Sequence, residues 1–349
     1  MTDIHSIQDS AWQLLRRLCA IPRVSRDEAA AANLLECYMR QLGLHPQRHM
    51  HNLWALRDDH DASRPTLLLC AHIDTVRGEV TPEVPDGNDR ITARGSNDDG
   101  ASLVSLLHVF AALPPQTYNL VFLATAEEEV GGRGGIEAMV PLLPPISVAL
   151  VGEPTSMQPA IAEKGLVVID AVAHGVAGHA AREEGDNAIY RAMRDISRLQ
   201  QPDSLFPKTS ALLGAVKASV TIINAGTQHN VVPDRCSFTI DLRTNELYSN
   251  HEAVAILRSH LESELTPRST RLGSSRIHPH HPLVRRCVEM GLTPFGSPTL
   301  SDQSLMPFPS MKMGPGDSSR SHTTHEFILR SEVDHAITQY LHLLNGLQL

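Results

Sequence analysis

Two nearly continuous apolar runs, separated by one helical segment, constrain the fold of this chain most strongly. Residues 65–73 (PTLLLCAHI) and 118–126 (YNLVFLATA) have strand length, and their low polar content is typical of strands buried on both faces. Residues 100–113 between them show helical spacing, which predicts a βαβ unit with a right-handed crossover. Residues 146–153 predict a further strand of this kind. We therefore expect an α/β domain with a mixed, mainly parallel sheet and helices on both faces.

A change of pattern near Lys164 indicates a second domain. The strand-like runs beyond it alternate apolar and polar residues or are rich in β-branched residues, as in an antiparallel sheet with one exposed face. Two amphipathic helices accompany them. The strand-like runs are 165–175, 217–226 and 236–244, and the helices are 187–200 and 251–265. The sequence predicts an α+β domain of residues 165–271, inserted into a catalytic domain of residues 1–164 and 272–349.

The two ends of the chain complete the predicted catalytic domain. Residues 6–43 contain two helical patterns, and Ser25 and Glu28 have the spacing of a capping box at the start of the second. A short helix is predicted within residues 131–143. The C-terminal part predicts a helix at 282–291, a strand at 310–314 and a helix at 331–347.

Bulk properties exclude several classes of partner. The formal net charge of -9 argues against binding to nucleic acid or to an anionic membrane surface. No apolar stretch approaches the roughly 20 residues that cross a bilayer, and the N-terminus lacks the apolar core of a signal peptide. The five cysteines include no CxxC pair, which is typical of a reducing compartment. The expected location is the cytoplasm.

Polar residues follow the predicted strands in a pattern that suits metal binding. In open α/β sheets ligands bind at the carboxyl edge, and His72 and Asp74 end the first buried run. Alternate strand residues share a face, so His72 can bind a metal while Asp74 fixes the imidazole from behind. The alternative is a buried histidine that is simply paired with its neighbour.

Carboxylates recur at later points of the same kind. Asp98, in a tight Gly-Ser-Asn-Asp-Asp-Gly turn, could bridge two metal ions; its alternative role is an N-cap of the next helix. Glu128 and Glu129, preceded by Glu127, follow a buried strand, where one could bind metal while its neighbour acts as general base. A solvated acidic loop is the alternative there. Glu153 directly follows an apolar run, where an unpaired carboxylate would be costly, unless it simply reaches solvent.

The remaining ligand is a histidine near the C-terminus. His322 is the favoured candidate in the segment SHTTHEF, with His325 as a weaker competitor. The tract HPHH at residues 278–281 looks more like a metal site, but its proline breaks regular geometry and its flanks are loop-like. We interpret that tract as an exposed segment without a metal role. Carboxylate and imidazole ligands suit zinc, and the whole set suits two zinc ions.

The ordered motifs resemble those of a zinc amidohydrolase family that includes acetylornithine deacetylase, succinyl-diaminopimelate desuccinylase, aminoacylase and glutamate carboxypeptidase. The motifs that carry this resemblance over nearly the whole chain are HIDT, GSNDDG, TAEEEVGG, VGEPT, GHAA, NVVPD and SHTTHEF. Four further segments are similar to the acetylornithine deacetylase-like branch, namely PAIAEKG, EGDNAIY, TIINAGTQHNVVPD and GSPTLSDQSLMPFPS.

The resemblance implies a role for each metal-site residue. One zinc would be held by His72 and Glu153 and the other by Glu129 and His322, and cobalt or manganese could replace zinc. The resemblance also implies that Asp98 bridges the two ions and that Glu128 is the general base.

The resemblance also implies roles within the inserted domain, which would serve as a lid and as the surface of a homodimer. His179 would stabilise the oxyanion, and Asn230 and Arg243 would contact the carboxylate of the substrate. From the residues alone, His179 could equally be a turn histidine and Arg243 a surface residue of a strand.

Two departures from the family pattern stand out. The family usually has a lysine two residues after the bridging aspartate, where this chain has Gly100; this leaves Asp99 as an alternative bridge. The segment 77–97, between the HIDT motif and Asp98, is also shorter than in many members, which affects one wall of the expected cleft.

The expected function is therefore hydrolysis of the amide bond of a small N-acyl amino acid. N-acetylornithine and N-succinylornithine are the favoured substrates, and the product would be ornithine for arginine biosynthesis. A dipeptidase or carboxypeptidase of the same family is the nearest alternative. A catalytically silent protein that binds metal and a ligand is the alternative from a different class.

Overall fold

The computed structural model describes residues 3–80 and 89–349. Its chain forms two compact units. The first contains Met1–Ile161, Arg276–Phe295 and Ser301–Leu349, and the second contains Ala162–Ser275 and Gly296–Leu300. The predicted catalytic domain included residues 162–164, 272–275 and 296–300, which the structure places in the second unit. The lid and dimerisation roles of the inserted domain stay predictions.

The described residues of the two units contain both helices and strands. The helices are α1 Ile4–Cys19, α2 Ala29–Gln41, α3 Ala101–Ala112, α4 Ile136–Met139, α5 Ala188–Leu199, α6 Pro202–Leu205, α7 Asn250–His260, α8 Pro282–Glu289 and α9 Arg330–Leu344. The strands are β1 Gln47–His49, β2 Asn52–Leu56, β3 Thr66–His72, β4 Arg90–Thr92, β5 Asn119–Thr125, β6 Val148–Val151, β7 Ala160–Glu163, β8 Gly165–His174, β9 Gly178–His179, β10 Lys217–Ala225, β11 Val231–Val232, β12 Arg235–Thr244, β13 Glu264–Pro267, β14 Ser275–Arg276, β15 Phe295–Ser297, β16 Ser310–Lys312 and β17 Phe327–Leu329.

A nine-stranded sheet organises the first unit. Its order is β1-β2-β5-β3-β6-β16-β7-β14, with β15 also paired to β7. The central strands β5, β3, β6 and β16 are mutually parallel, whereas β2 joins β5 antiparallel. The predicted class, a mixed but mainly parallel α/β sheet, is confirmed. The parallel strands end at one edge, which is where polar residues follow them.

Both faces of this sheet are buried, as the unbroken apolar runs predict. Side chains of β3 alternate between two clusters: Leu67 and Leu69 pack into the larger core, and Leu68 and Cys70 pack into a smaller one on the other face. Helix α3 lies in the larger core and contacts α1, α9 and β3. Its residues from Ala101 to Phe110 are all buried, so the core fixes the turn that precedes it.

The second unit has a four-stranded antiparallel sheet of order β10-β12-β8-β13. Strand β8 alternates buried and half-buried residues, as the prediction of one exposed face requires. Its buried side chains, together with those of β12, pack against α5 and α7. Strand β10 lies at the edge of the sheet. A separate two-stranded ladder joins β9 to β11.

Two local predictions are wrong. Ser25 and Glu28 form no capping box, because α2 begins at Ala29 without a side-chain cap and Ser25 donates to Asp74 instead. The prediction of a short helix within 131–143 is confirmed, with Ile136–Met139 in an α-helix. The helix expected to reach residue 265 ends at His260, because Leu265 pairs with Ala171 as part of β13.

No helix among the residues that the structure describes has the length and apolar character needed to cross a membrane. The shortened segment 77–97 includes residues 81–88, which lie outside the described residues.

Candidate metal centre

Three adjacent parallel strands deliver acidic and imidazole side chains to one edge of the sheet. His72 is the last residue of β3, Glu128 and Glu129 follow β5, and Glu153 follows β6. Strand β3 lies between β5 and β6, so residues that follow these strands are brought together. Two loops supply the other candidates, Asp98 and His322.

Asp98 lies between the two candidate imidazoles. Its Oδ1 is 3.1 Å from Nε2 of His72, and its Oδ2 is 3.5 Å from Nε2 of His322. The same His322 nitrogen lies 2.9 Å from Oε2 of Glu129. One carboxylate that presents its two oxygens to two different imidazoles has the geometry of a bridging ligand.

Two overlapping groups of ligand atoms meet at His72. His72, Asp98 and Glu129 form one group, and His72, Glu128 and Glu153 form the other; in each, the ligand atoms lie within 4.8 Å of one another. Imidazole and carboxylate donors at such spacing suit zinc and similar divalent ions. The donor set therefore fits a metal centre. The second group also places Glu128, predicted as the general base, within reach of a metal.

The pKa values at the site reflect burial and crowded negative charge. Burial raises the pKa of Glu128 well above its usual range, and the charges of Glu153 and Asp302 add to the shift. Burial likewise raises the pKa of Glu153, although Lys312 opposes this. A carboxylate in such a place is stabilised by a nearby cation. A bound cation would therefore stabilise the ionised form of both carboxyl groups.

Burial lowers the pKa of a histidine, whereas it raises that of a carboxyl group. At both histidines of the site, contacts with carboxylates outweigh this effect of burial. The pKa of His322 is raised, first by its hydrogen bond to Glu129. Burial opposes charging of His72, yet hydrogen bonds to Asp74 and Asp98 and the charge of Glu128 raise its pKa well above the usual value.

Asp74 supports the site mainly through a different contact from the predicted one. Nδ1 of His72 lies 2.9 Å from the backbone carbonyl oxygen of Asp74 and 3.5 Å from its carboxylate. A histidine ligand commonly donates its second N–H to such an oxygen. The Asp74 carboxylate instead accepts from the backbone N–H of Glu128 at 3.0 Å and of Glu129 at 3.2 Å, and from the Ser25 hydroxyl at 2.7 Å. Asp74 thus ties the acidic loop to the end of β3.

The turn that carries Asp98 is held by a residue that the sequence analysis missed. Oε1 of Glu326 accepts from the backbone N–H groups of Asn97 and Asp98, both at 3.1 Å, and its other oxygen lies 3.0 Å from Arg94. Glu326 is completely buried and follows closely after His322. The only sequence signal was its place in the SHTTHEF motif.

A second missed acid lies beneath the site. Asp302 is buried and accepts a hydrogen bond from the Thr125 hydroxyl at 2.6 Å. Burial raises the pKa of Asp302 to about 6. Its segment, LSDQ, shows no periodic pattern that would mark it from the sequence alone.

The alternative candidates lie elsewhere. An oxygen of the Asp99 carboxylate lies near Gly152, burial raises its pKa to about 7, and Asp99 belongs to neither group of ligand atoms described above. In the HPHH tract, Nδ1 of His281 caps α8 by accepting from Leu283. His325 is exposed and belongs to neither group of ligand atoms described above.

The predicted substrate residues belong to the second unit. His179, on β9, accepts the N–H of Ala181 on its Nδ1 at 3.1 Å, which leaves the ring proton on Nε2. The backbone carbonyl of Asn230 accepts a hydrogen bond from the N–H of Ala180 at 2.9 Å, next to the β9–β11 ladder. Arg243 lies on β12 and makes a two-point ion pair with Asp241, at 2.8 and 3.1 Å. The roles of these three residues stay predictions.

Comparison with known proteins gives the class that the fold and site define. The model of peptidase family M20/M25/M40 matches residues 68–346, which include every residue of the candidate centre. The chain belongs to this family, whose members are metal-dependent hydrolases.

Relatives at the sequence level differ in their named activities. A probable carboxypeptidase of Paracoccidioides brasiliensis is 30% identical over 66% of this chain and 59% of its own length, so this chain matches about three fifths of that relative. The LysW-lysine hydrolase of Deinococcus radiodurans is 27% identical over 94% of both chains. An acetylornithine deacetylase of Myxococcus xanthus is 28% identical over 55% of this chain and 53% of its own.

A solved structure shares the fold over nearly the full length. A tripeptidase from Staphylococcus aureus has a TM-score of 0.78 at 20% identity and covers 97% of both chains. This similarity shows that the two chains share the same fold.

Proposed function

We propose that this protein hydrolyses the amide bond of an N-acyl amino acid at a centre of two zinc ions, and that its substrate is N-acetylornithine or N-succinylornithine. The product would be ornithine for arginine biosynthesis. The observation that supports this proposal most strongly is the placement of Asp98 between His72 and His322. The motif resemblance and the acetylornithine deacetylase relative favour the N-acyl-ornithine substrates.

In this proposal His72 and Glu153 hold one ion, Glu129 and His322 hold the other, and Asp98 is shared. Two zinc ions would polarise the scissile carbonyl group and lower the pKa of a water molecule from 15.7 toward 7. Cobalt or manganese, which accept the same donor types, could replace zinc.

Glu128 moves the proton. Its carboxylate lies 4.0 Å from Nε2 of His72, and its backbone N–H is fixed by Asp74. As general base it would accept the proton of the attacking water and then give it to the nitrogen of the departing amino acid. Burial raises the pKa of this carboxyl group, which makes its carboxylate a stronger base toward the proton of the attacking water.

Residues of the inserted domain would recognise the substrate. His179 would donate its Nε2 proton to the oxyanion of the tetrahedral intermediate. Arg243 and Asn230 would hold the α-carboxylate of the amino acid. Because Arg243 is paired with Asp241, we propose that the substrate carboxylate shares the guanidinium with Asp241 or displaces it.

Steady-state kinetics on a substrate panel test this function. The zinc-loaded protein is assayed with N-acetylornithine, N-succinylornithine and a set of dipeptides, and we expect the highest kcat/KM for one of the acylated ornithines. A higher kcat/KM for dipeptides would instead support the alternative that the protein is a dipeptidase or carboxypeptidase. Binding of a panel member without hydrolysis of any would support a silent binding protein.

One observation favours a second candidate substrate. The LysW-lysine hydrolase relative aligns over 94% of both chains, whereas the acetylornithine deacetylase relative aligns over 55% of this chain. LysW-lysine is therefore added to the panel. Release of lysine from it, at a kcat/KM above that of the acylated ornithines, would replace the favoured substrate but keep the reaction class.

We also propose that the protein is a homodimer through the inserted domain. Ile222 and Ile223 on the edge strand β10 are 52% and 50% exposed, and Tyr190 and Met193 on α5 are 63% and 54% exposed. An edge strand with exposed apolar residues is a ready surface for a second chain.

A further inference from the structure

A buried arginine lies behind the metal centre and has no role in the proposed mechanism. Arg23 is only 2% exposed, although arginine is almost never buried unless its donors are paired. Its Nη1 donates to the backbone carbonyl of Ile73 at 2.8 Å, and its Nη2 donates to that of Gly95 at 2.6 Å. The guanidinium therefore joins two segments that are distant in sequence.

Both of these segments carry a candidate metal ligand. Ile73 lies between His72 and Asp74, at the end of β3. Gly95 begins the turn that leads to Asp98, and its carbonyl also accepts the N–H of Gly100 at 3.0 Å. Arg23 thus connects the backbone next to His72 with the turn that leads to Asp98.

Two glycines make room for the guanidinium. A Cβ atom at Gly95 would lie 2.5 Å from Nη2 of Arg23, and one at Gly100 would lie 2.9 Å from it. Gly95 also has a φ of +75°, which favours glycine. Gly100 is the position where the family pattern led us to expect a lysine, and here a side chain at that position would collide with Arg23.

The backbone of Arg23 is itself fixed against the HIDT segment. The N–H of Thr75 donates to the Arg23 carbonyl at 2.9 Å, and the N–H of Ser25 donates to the Thr75 carbonyl at 3.2 Å. The planar guanidinium offers several donors in a rigid arrangement, which a lysine ammonium cannot reproduce. Arg23 is therefore held by hydrogen bonds at both its backbone and its guanidinium group.

We propose that Arg23 is a positioning residue, which fixes the separation of His72 and Asp98 and thereby sets the affinity and the ligand geometry of the metal centre. This inference rests on the proposed metal centre. Loss of the guanidinium leaves two buried carbonyl groups without this partner and frees the Asp98 turn to move relative to β3. Loss of a residue that supports metal ligands typically weakens metal binding 10- to 100-fold.

The test compares Arg23→Met with a matched control, Arg57→Met. Arg57 also donates to backbone carbonyls, those of Phe110 and Leu113, but neither belongs to a metal-ligand segment. The zinc dissociation constant is measured by chelator competition, the visible spectrum is recorded with cobalt, and Tm is measured without metal.

We expect Arg23→Met to weaken zinc binding about 10- to 100-fold and to change the cobalt spectrum. Arg23→Lys should not restore either property. Arg57→Met should lower Tm and leave the zinc affinity and the cobalt spectrum unchanged. Wild-type zinc affinity and spectrum in Arg23→Met, with only a lower Tm, would overturn the inference.

A second variant covers the case in which Arg23→Met does not fold. Gly100→Ala keeps the arginine but pushes against its Nη2 and against the Gly95 carbonyl, so we expect weaker zinc binding here too. Unchanged zinc affinity in Gly100→Ala would then contradict the inference. A wild-type protein that binds no zinc would instead contradict the proposed function.

Discussion

At the scale of single residues, the candidate centre is a cluster of acidic side chains with few positively charged groups among them. Four carboxylates, those of Asp98, Glu128, Glu129 and Glu153, meet two imidazoles at the edge of the sheet. Burial raises the pKa of Glu128 and Glu153. Such an arrangement is costly unless cations occupy it, and this cost is the physical reason to expect metal ions there.

Replacing Glu128 with glutamine separates its two possible roles. If Glu128 is the general base, Glu128→Gln lowers kcat about 10²- to 10⁴-fold and leaves the zinc content unchanged. The matched control is Glu127→Gln, because the Glu127 carboxylate points toward Gly132 and Gly134 instead. Zinc content by mass spectrometry and kcat are measured for both variants. Loss of a zinc ion in Glu128→Gln would make Glu128 a ligand, and near-normal kcat would remove it from the base role.

Asp74 offers a second test at this scale. Asp74→Asn keeps the size of the side chain but replaces one carboxylate oxygen with an NH₂ group. This group cannot accept the hydrogen bonds that the backbone N–H groups of Glu128 and Glu129 donate to the carboxylate. We expect zinc binding to weaken about 10- to 100-fold, because the Glu128–Glu129 loop loses its anchor. Ser25→Ala removes only one of the donors to Asp74 and should have a smaller effect. Equal effects of the two variants would argue against an anchoring role for Asp74.

At the scale of elements, helix α3 provides a pH-dependent test of the core beneath the site. His108 is 3% exposed and lies 2.8 Å from the Tyr38 hydroxyl. Its other ring nitrogen donates to the carbonyl of Val104 at 2.7 Å. Burial lowers its pKa from 6.5 to about 4. Below pH 6.5 the unfolded chain therefore binds a proton at this residue that the folded chain excludes.

The free energy of unfolding should accordingly decrease as the pH falls from 6.5 toward 4. Between pH 7 and pH 5 we expect His108 to account for a loss of about 2 kcal/mol. This loss is absent in His108→Gln, and the comparison by urea unfolding at both pH values measures it. His280→Gln, at an exposed position, is the control and should behave like the wild type. An equal pH dependence in wild type and His108→Gln would contradict a neutral buried histidine.

The elements that could be predicted from the sequence are those set by local periodicity. The apolar runs of β3 and β5 and the pattern of α3 are visible in the chain itself, and they place polar residues at the carboxyl edge. The start of α2 could not be predicted, because Glu28 accepts from Glu127 and pairs with His51, both of which are distant in sequence. The supports of the site, Arg23, Glu326 and Asp302, were missed for the same reason: each is defined by its tertiary contacts.

At the scale of the whole molecule, the exposed apolar surface of the inserted domain tests the proposed homodimer. We expect the wild type to be a dimer and Ile223→Lys to be a monomer, because a charge on the edge strand β10 opposes pairing with a second strand. Val288, on α8 of the first unit, is 53% exposed, and Val288→Lys serves as the control that stays dimeric. Light scattering after gel filtration gives the masses. A monomeric wild type, or a dimeric Ile223→Lys, would contradict the proposal.

The central claim is that the chain holds two divalent ions at Asp98, and the number of zinc ions per chain tests it most directly. Zinc content after equilibrium dialysis should be two per chain for the wild type. His322→Ala should retain one, because His72 and Glu153 remain to hold the other. A wild-type protein that holds one zinc ion or none, or a His322→Ala variant that still holds two, would contradict the account.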